Sequence, residues 1–233
     1  MIPKIIHYCW FGNNPKPKSI LKYIDTWKKH LPDYKIKEWN ENNFNIDNFQ
    51  FVKEAYINRK YAFVSDVCRL YALYSEGGIY FDTDVEVIKN FDSLLSDSMF
   101  LGLESDKYNR IGTSVIGAEP HNKIIAKCLE YYANKNFINN DGSFNTTPNT
   151  LIISEILEKQ ENKNIKIYPT DYFSPIDFET KCINKSLNTY SIHHFSGTWL
   201  PKYRQLESRF WSSLGRKDIQ ILYRVFRKIH LVK

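Results

Sequence analysis

Residues 61–84 constrain this chain more than any other stretch. Tyr61 to Glu76 places Ala62, Asp66, Arg69 and Leu73 on one face of a helix, and the double glycine Gly77-Gly78 is the expected stop for it. Ile79-Tyr80-Phe81 then reads as a short strand whose run of bulky side chains suits the middle of a sheet. Asp82-Thr83-Asp84 follows directly, and Val85 and Val87 resume an apolar alternation. A helix, a sharp stop and a strand that ends in carboxylates predict an α/β sheet, where ligands sit in the crevice beyond the carboxyl ends of strands. In an extended segment Asp82 and Asp84 point the same way, so both can reach one cation. Carboxylate ligands suit Mg²⁺ or Mn²⁺, whose shells phosphates and water complete. A bare Asp-x-Asp also arises in capped turns and solvated loops, so the pair gains its meaning from the elements around it.

A chain of 233 residues with 42% hydrophobic content can bury one sizeable core. The expected division is a main α/β domain over 1–203 and a basic helical tail over 204–233. No apolar run reaches the length of about 18 residues that a transmembrane helix needs, and Met1-Ile2-Pro3-Lys4 lacks the apolar stretch of a secretory leader. The expectation is a cytoplasmic protein. Cys9, Cys68, Cys128 and Cys182 lie far apart with no Cys-x-x-Cys spacing, which predicts free thiols rather than disulfides or zinc ligands. From Arg204 to Lys233 there are eight cations against Glu207 and Asp218, which accounts for the whole formal charge of +6. The main body is therefore balanced, which argues against general nucleic-acid binding.

Around the central stretch, Pro3 to Trp10 reads as a first strand, Ile20, Leu21, Ile24 and Trp27 as a helical stripe, and Tyr34 to Trp39 as a second strand before an Asn-rich connection over 40–48. Met99–Leu103 and Ile111–Ala118 are expected strands, Ile124 to Tyr132 a helix, and Asn139 to Asn149 a loop. A helix from Thr150 to Lys159 and strands at Ile165–Tyr168 and Tyr190–Phe195 complete the main domain. In the tail, Ile219, Leu222, Val225, Phe226 and Ile229 share one side of a helix, with Lys217, Arg224, Arg227 and Lys228 mainly on the other. Such a helix either packs on the core or rests on an anionic membrane surface.

Three clusters carry a resemblance. Ile2-Pro3-Lys4-Ile5-Ile6-His7 with Trp10-Phe11-Gly12, then Ser65-Asp66-x-x-Arg69, then Gly77-Gly78-Ile79-Tyr80-x-Asp82-x-Asp84, resemble in order the motifs of glycosyltransferase family 32. That group of DXD-containing sugar transferases includes bacterial capsular polysaccharide enzymes and fungal mannosyltransferases. The glucosyltransferase domain of the large clostridial toxins has a similar order. The likeness covers residues 1–120 well and the remainder in patches. It implies a GT-A type nucleotide-binding fold, a mixed Rossmann-like sheet flanked by helices. It also implies a nucleotide-diphosphate sugar donor carrying uridine or guanosine, and transfer to a glycan or lipid-linked acceptor with retention of anomeric configuration.

The resemblance also distributes roles. Asp82 and Asp84 would hold Mn²⁺ or Mg²⁺, and a late His-Phe-Ser-Gly, with His194 preferred over His193, would supply a third ligand. Catalytic work would fall to Asp82, Asp84 and Arg69, and donor binding to Trp10, Ser65, Asp66, Arg69, Gly78, Asp82 and Trp199. Each position also has a plainer reading. Trp10 can stack on a base or line the rim of the core. Asp66 and Arg69, three apart on a helix, can simply pair with each other, and both histidines can be ordinary strand residues. Where the family often carries Gly-Pro, this chain has Thr147-Pro148. The expected biology is bacterial surface polysaccharide synthesis at the inner face of the membrane. Two rivals are a catalytically idle sugar-binding or assembly protein and an aspartyl phosphotransferase with Asp82 as nucleophile.

Overall fold

Alternation along the strands sorts the core into two layers. In the computed structural model, which describes residues 1–105, 109–159, 164–176 and 182–196, the central sheet contains β1 (Ile5–Cys9), β2 (Lys35–Trp39), β3 (Gly78–Phe81), β5 (Met99–Ser105), β6 (Arg110–Ala118) and β7 (Ile165–Tyr168). A separate pair is formed by β4 (Val85–Val87) and β8 (Ser191–His193). The order across the large sheet is β2-β1-β3-β6-β5-β7, and β6 alone runs against its neighbours. Tyr80 of β3 and Met99 and Leu101 of β5 face one core, while Ile79, Phe81 and Phe100 face the other, as a two-residue period requires.

The first core is closed by α2 (Gln50–Ile57), α3 (Tyr61–Glu76), α4 (Lys123–Ala133) and α5 (Asn149–Glu158), the second by α1 (Lys18–His30) and α6 (Thr170–Phe173). The helix read from Tyr61 to Glu76 has those bounds. In α1, Ile20, Ile24 and Trp27 are buried at helical spacing, while Leu21 from the expected stripe is 46% exposed. Asn122 caps α4, its side chain accepting from the amides of Ile124 and Ile125. Helix α2 was not legible in the sequence. It follows the Asn-rich stretch, where Asn45 accepts from the Asp47 amide in a turn that looks like any loop. Cys9, Cys68 and Cys128 are buried thiols, and none of the four cysteines forms a disulfide.

The corner between α3 and β3 explains the double glycine. Gly78 has φ of 107°, and a Cβ there would lie 2.6 Å from the Ile5 carbonyl and 3.0 Å from His7 Nε2. The buried His7 donates from Nε2 to the Gly77 carbonyl at 2.7 Å and accepts at Nδ1 from Trp39 Nε1 at 3.0 Å. That arrangement requires a neutral ring, and burial lowers the His7 pKa accordingly. Among the described residues no helix is long and apolar enough to cross a membrane. Trp199, the basic tail and the expected boundary at 203 lie outside the described residues.

Candidate active site

Asp82 stands where β3 gives way to a turn. Its amide donates to the Ser114 carbonyl at 2.8 Å, carrying the ladder with β6 one residue past Phe81. The Val85 amide then donates to the Asp82 carbonyl at 3.0 Å, closing a turn over Thr83 and Asp84. The expected extended geometry is therefore corrected: a tight turn gathers the two carboxylates, and strand alternation does not. Helix α1 holds the far end of this turn. Trp27 Nε1 donates to the Val85 carbonyl at 2.7 Å, and Thr26 Oγ1 accepts from the Val87 amide at 3.0 Å.

The imidazole that joins the pair is His193. Ligand atoms of Asp82, Asp84 and His193 all lie within 4.8 Å of one another. His193 Nε2 is 3.4 Å from Asp84 Oδ1, and its buried Nδ1 has no hydrogen-bond partner among the described residues. His194, the sequence preference, is turned elsewhere. Its backbone amide donates to the Asp84 carbonyl, but its ring lies 2.8 Å from Glu86 Oε2 and stacks on Tyr23 at 4.8 Å. The physical reason is strand register. β8 pairs antiparallel with β4, setting His193 opposite Val85 beside the turn, and the next residue lies on the other side. Burial would raise the Asp84 carboxyl, but His193 and the Ser196 amide, 2.7 Å from Oδ2, hold it well below the ordinary range. Burial in turn disfavours charge on His193, yet Asp84, Asp82 and Glu104 raise its pKa.

Arg69 organises the opposite wall. Its Nη2 lies 2.9 Å from Asp66 Oδ1 and 3.4 Å from Asp82 Oδ1, and its Nη1 donates to the Thr113 carbonyl at 3.0 Å. The guanidinium also lies 4.7 Å from the centre of the Tyr80 ring, whose hydroxyl donates to Asp82 Oδ1 at 2.9 Å. Burial opposes its charge, but Tyr80, Asp82 and Asp66 more than restore it. Burial pushes the Asp66 carboxyl up to about 6, against the pull of Arg69. Asp66 and Arg69 do pair with each other, and through Arg69 the pair reaches Asp82. The Ser65 hydroxyl is spent on its own helix, donating to the Tyr61 carbonyl. Gly78 lies at the opposite end of β3 from Asp82, packed against β1, so the structure does not bring it to this cluster.

Trp10 follows β1, which runs parallel to β3, so it lies on the same edge of the sheet as Asp82. It is partly exposed, donates from Nε1 to the Asn14 carbonyl at 2.6 Å and has Lys16 Nζ 5.9 Å from a ring centre. Beyond Pro148, Asn149 Nδ2 donates to the Asp66 carbonyl and to the Tyr132 hydroxyl, tying the start of α5 to the site wall. Two residues near the carboxylates escaped the sequence reading: Tyr23 of α1 and Glu104 of β5. Glu104 carries a signal that could have found it, a carboxylate directly after the apolar run Met99-Phe100-Leu101-Gly102-Leu103, at the end of a strand. Two irregularities in the β5–β6 register, at Leu101/Leu103 and Leu103/Ser105, break the alternation that would have placed it.

Two carboxylates and an imidazole, one carboxylate held ionised, form a donor set suited to a divalent cation, and the orphaned His193 Nδ1 marks a buried polar atom still wanting a partner. Residues 17–101 match the family model described as glycosyltransferase sugar-binding region containing DXD motif. An uncharacterized glycosyltransferase, L373, of Acanthamoeba polyphaga mimivirus is 26% identical over 86% of this chain and 85% of its own length. The matched region and this relative are both those of glycosyltransferases. The chain is also 28% identical to a toxin of Photorhabdus asymbiotica over 55% of its length, although it spans only 6% of that toxin. A solved glycosyltransferase involved in glycosylation of the major capsid of PBCV-1 superposes with a TM-score of 0.52 at 14% identity, covering 88% of this chain and 98% of that one. The fold of this chain is GT-A, a mostly parallel central sheet flanked by helices.

Proposed function

We propose that this transferase moves a sugar from a nucleotide-diphosphate donor to a hydroxyl of a glycan or lipid-linked acceptor, with retention, using a divalent cation held by Asp82, Asp84 and His193. The observation that carries the reading is the convergence of these three side chains beyond the carboxyl end of central strand β3, where open α/β sheets take their ligands. When bound, Mn²⁺ or Mg²⁺ would neutralise charge on the departing diphosphate. The chain's own residues prepare that step. Ser196 and His193 keep Asp84 ionised, and Tyr80 and Arg69 hold one oxygen of Asp82 in place. Arg69 is 6% exposed and directs its donors to Asp66, Asp82 and the carbonyls of Thr113 and Ser65, which makes it a positioning residue in this reading. Trp10, at the rim beside β1, offers a flat face to the base.

Bacterial surface polysaccharide at the inner membrane face, with uridine or guanosine donors, remains the biological setting we propose, supported by the motif resemblance and the basic tail. Thermal shift with Mn²⁺ and a panel of uridine and guanosine diphosphate sugars tests the chemistry, because a ligand that binds only the folded state raises the melting temperature. Asp84→Asn should abolish both the shift and Mn²⁺-dependent donor hydrolysis. Full hydrolysis by wild type after chelation of metal would overturn the assignment.

A further inference from the structure

β5 runs parallel to β3, with β6 between them, so its last residues reach the same edge of the sheet as Asp82. Glu104, next to last in β5, lies across the backbone of β6 at Gly112. A Cβ on Gly112 would be 2.7 Å from Glu104 Cγ and 3.5 Å from Cδ, so the absence of a side chain there makes room for this carboxylate arm. The next residue of β6, Thr113, supplies the carbonyl that Arg69 holds at 3.0 Å. Glu104 is thus set beside the Arg69–Asp82 wall, close enough to His193, Asp82, Arg110 and Arg69 to interact with each electrostatically. It lies outside the three-ligand cluster, and among the described residues none forms a hydrogen bond or ion pair with its carboxyl.

Glu104 is half-buried, and a carboxylate with no protein donor takes its hydrogen bonds from water or from a ligand. Sugar hydroxyls are such donors, and a carboxylate offers them charge-assisted bonds. We infer that Glu104 binds a hydroxyl of the transferred sugar, from the side of the pocket away from the diphosphate, and so helps select the sugar. Its half-buried position against Gly112 of β6, beside Arg69 and Asp82, favours the donor sugar over an acceptor arriving at the rim. The inference rests on the donor-site reading above. Burial also pushes the Glu104 carboxyl above the ordinary range, with His193 the largest opposing influence, as expected of a group that lacks protein donors.

The test compares each nucleoside diphosphate with its own sugar conjugate: UDP with UDP-hexoses and GDP with GDP-hexoses, by titration calorimetry with Mn²⁺. Glu104→Ala should leave nucleoside diphosphate affinity within about twofold and weaken the sugar conjugate about tenfold or more, the scale of one lost charge-assisted hydrogen bond. Glu104→Gln keeps the shape and one acceptor and should lose less. Gly112→Ala, whose new methyl pushes the Glu104 side chain aside, should reproduce the selective loss without touching the carboxylate itself. Unchanged binding of the sugar conjugate in Glu104→Ala and Glu104→Gln, or equal loss of both ligands, overturns the inference. A wild type that binds the diphosphates with Mn²⁺ but gains nothing from the sugar overturns it while leaving the diphosphate site standing. A wild type that binds none of the panel removes both.

Discussion

Replacing Arg69 by Met removes the charge at the centre of the site while keeping much of the side chain's length and apolar bulk. Three losses follow. The Thr113 carbonyl, accepting from Nη1 at 3.0 Å, is left unpaired in a buried setting, at a cost of about 1–3 kcal/mol. Asp66 loses its counter-charge at 2.9 Å. Its pKa already stands at about 6, so at pH 7.5 it can escape by taking up a proton, and the further penalty is capped near 1.5 pKa units, or about 2 kcal/mol. The stacking over Tyr80 also goes, though Met restores part of the packing. The total, about 3–5 kcal/mol, agrees with the usual cost of breaking a buried ion pair by removing one partner. For a chain of this size it corresponds to a melting temperature lower by roughly 6–20 °C. The double variant Asp66→Asn, Arg69→Met removes the stranded charge and should recover about 1–2 kcal/mol relative to additivity. Urea unfolding followed by circular dichroism at pH 7.5, with thermal scans beside it, measures both. A single variant within 1 kcal/mol of wild type, or a double variant equal to the sum of the singles, would refute the picture of Arg69 as the buried counter-charge of this wall.

Asp66 makes stability depend on pH with a definite sign. Its folded-state pKa, raised from 3.8 to about 6, exceeds the unfolded value, so folding takes up a proton between the two and stability falls as pH rises through about 6. Between pH 4.5 and 7.5 wild type should lose about 2 kcal/mol relative to Asp66→Asn, read from paired urea titrations; a gap that stays constant with pH defeats this account. For the cation site, His193→Ala should weaken Mn²⁺ binding about tenfold or more in a paramagnetic resonance titration without nucleotide, while His194→Ala leaves it unchanged; the reverse order would restore His194 as the ligand.

Local pattern carried the reading a long way in this chain. The helix from Tyr61 to Glu76, its stop at Gly77-Gly78 and the buried strand after it are set by side-chain period and by backbone angles that only glycine adopts easily, all within some twenty residues. The order of elements then made an α/β sheet with carboxylates at a strand end the natural expectation. Asp66 and Arg69 were legible because a helix brings residues three apart together whatever the rest of the chain does.

What lay beyond reach was decided by register between distant segments. His193 rather than His194 meets Asp84 because β8 pairs with β4 in one phase, and shifting that phase by one residue would exchange the two rings. Gly78 belongs to the α3–β3 corner because Ile5 and His7 of β1 crowd it. Glu104 reaches the site only because β5 is irregular and Gly112, on a different strand, leaves room for it. The sequence by itself determined the elements, the glycosyltransferase motif and the carboxylates at the edge of the sheet, since each depends on neighbours in the chain. The tertiary structure alone decided which imidazole joins them, because strand pairing between segments about a hundred residues apart makes that choice, and which third carboxylate lies beside them, because the packing of Glu104 over Gly112 on the neighbouring strand makes that one.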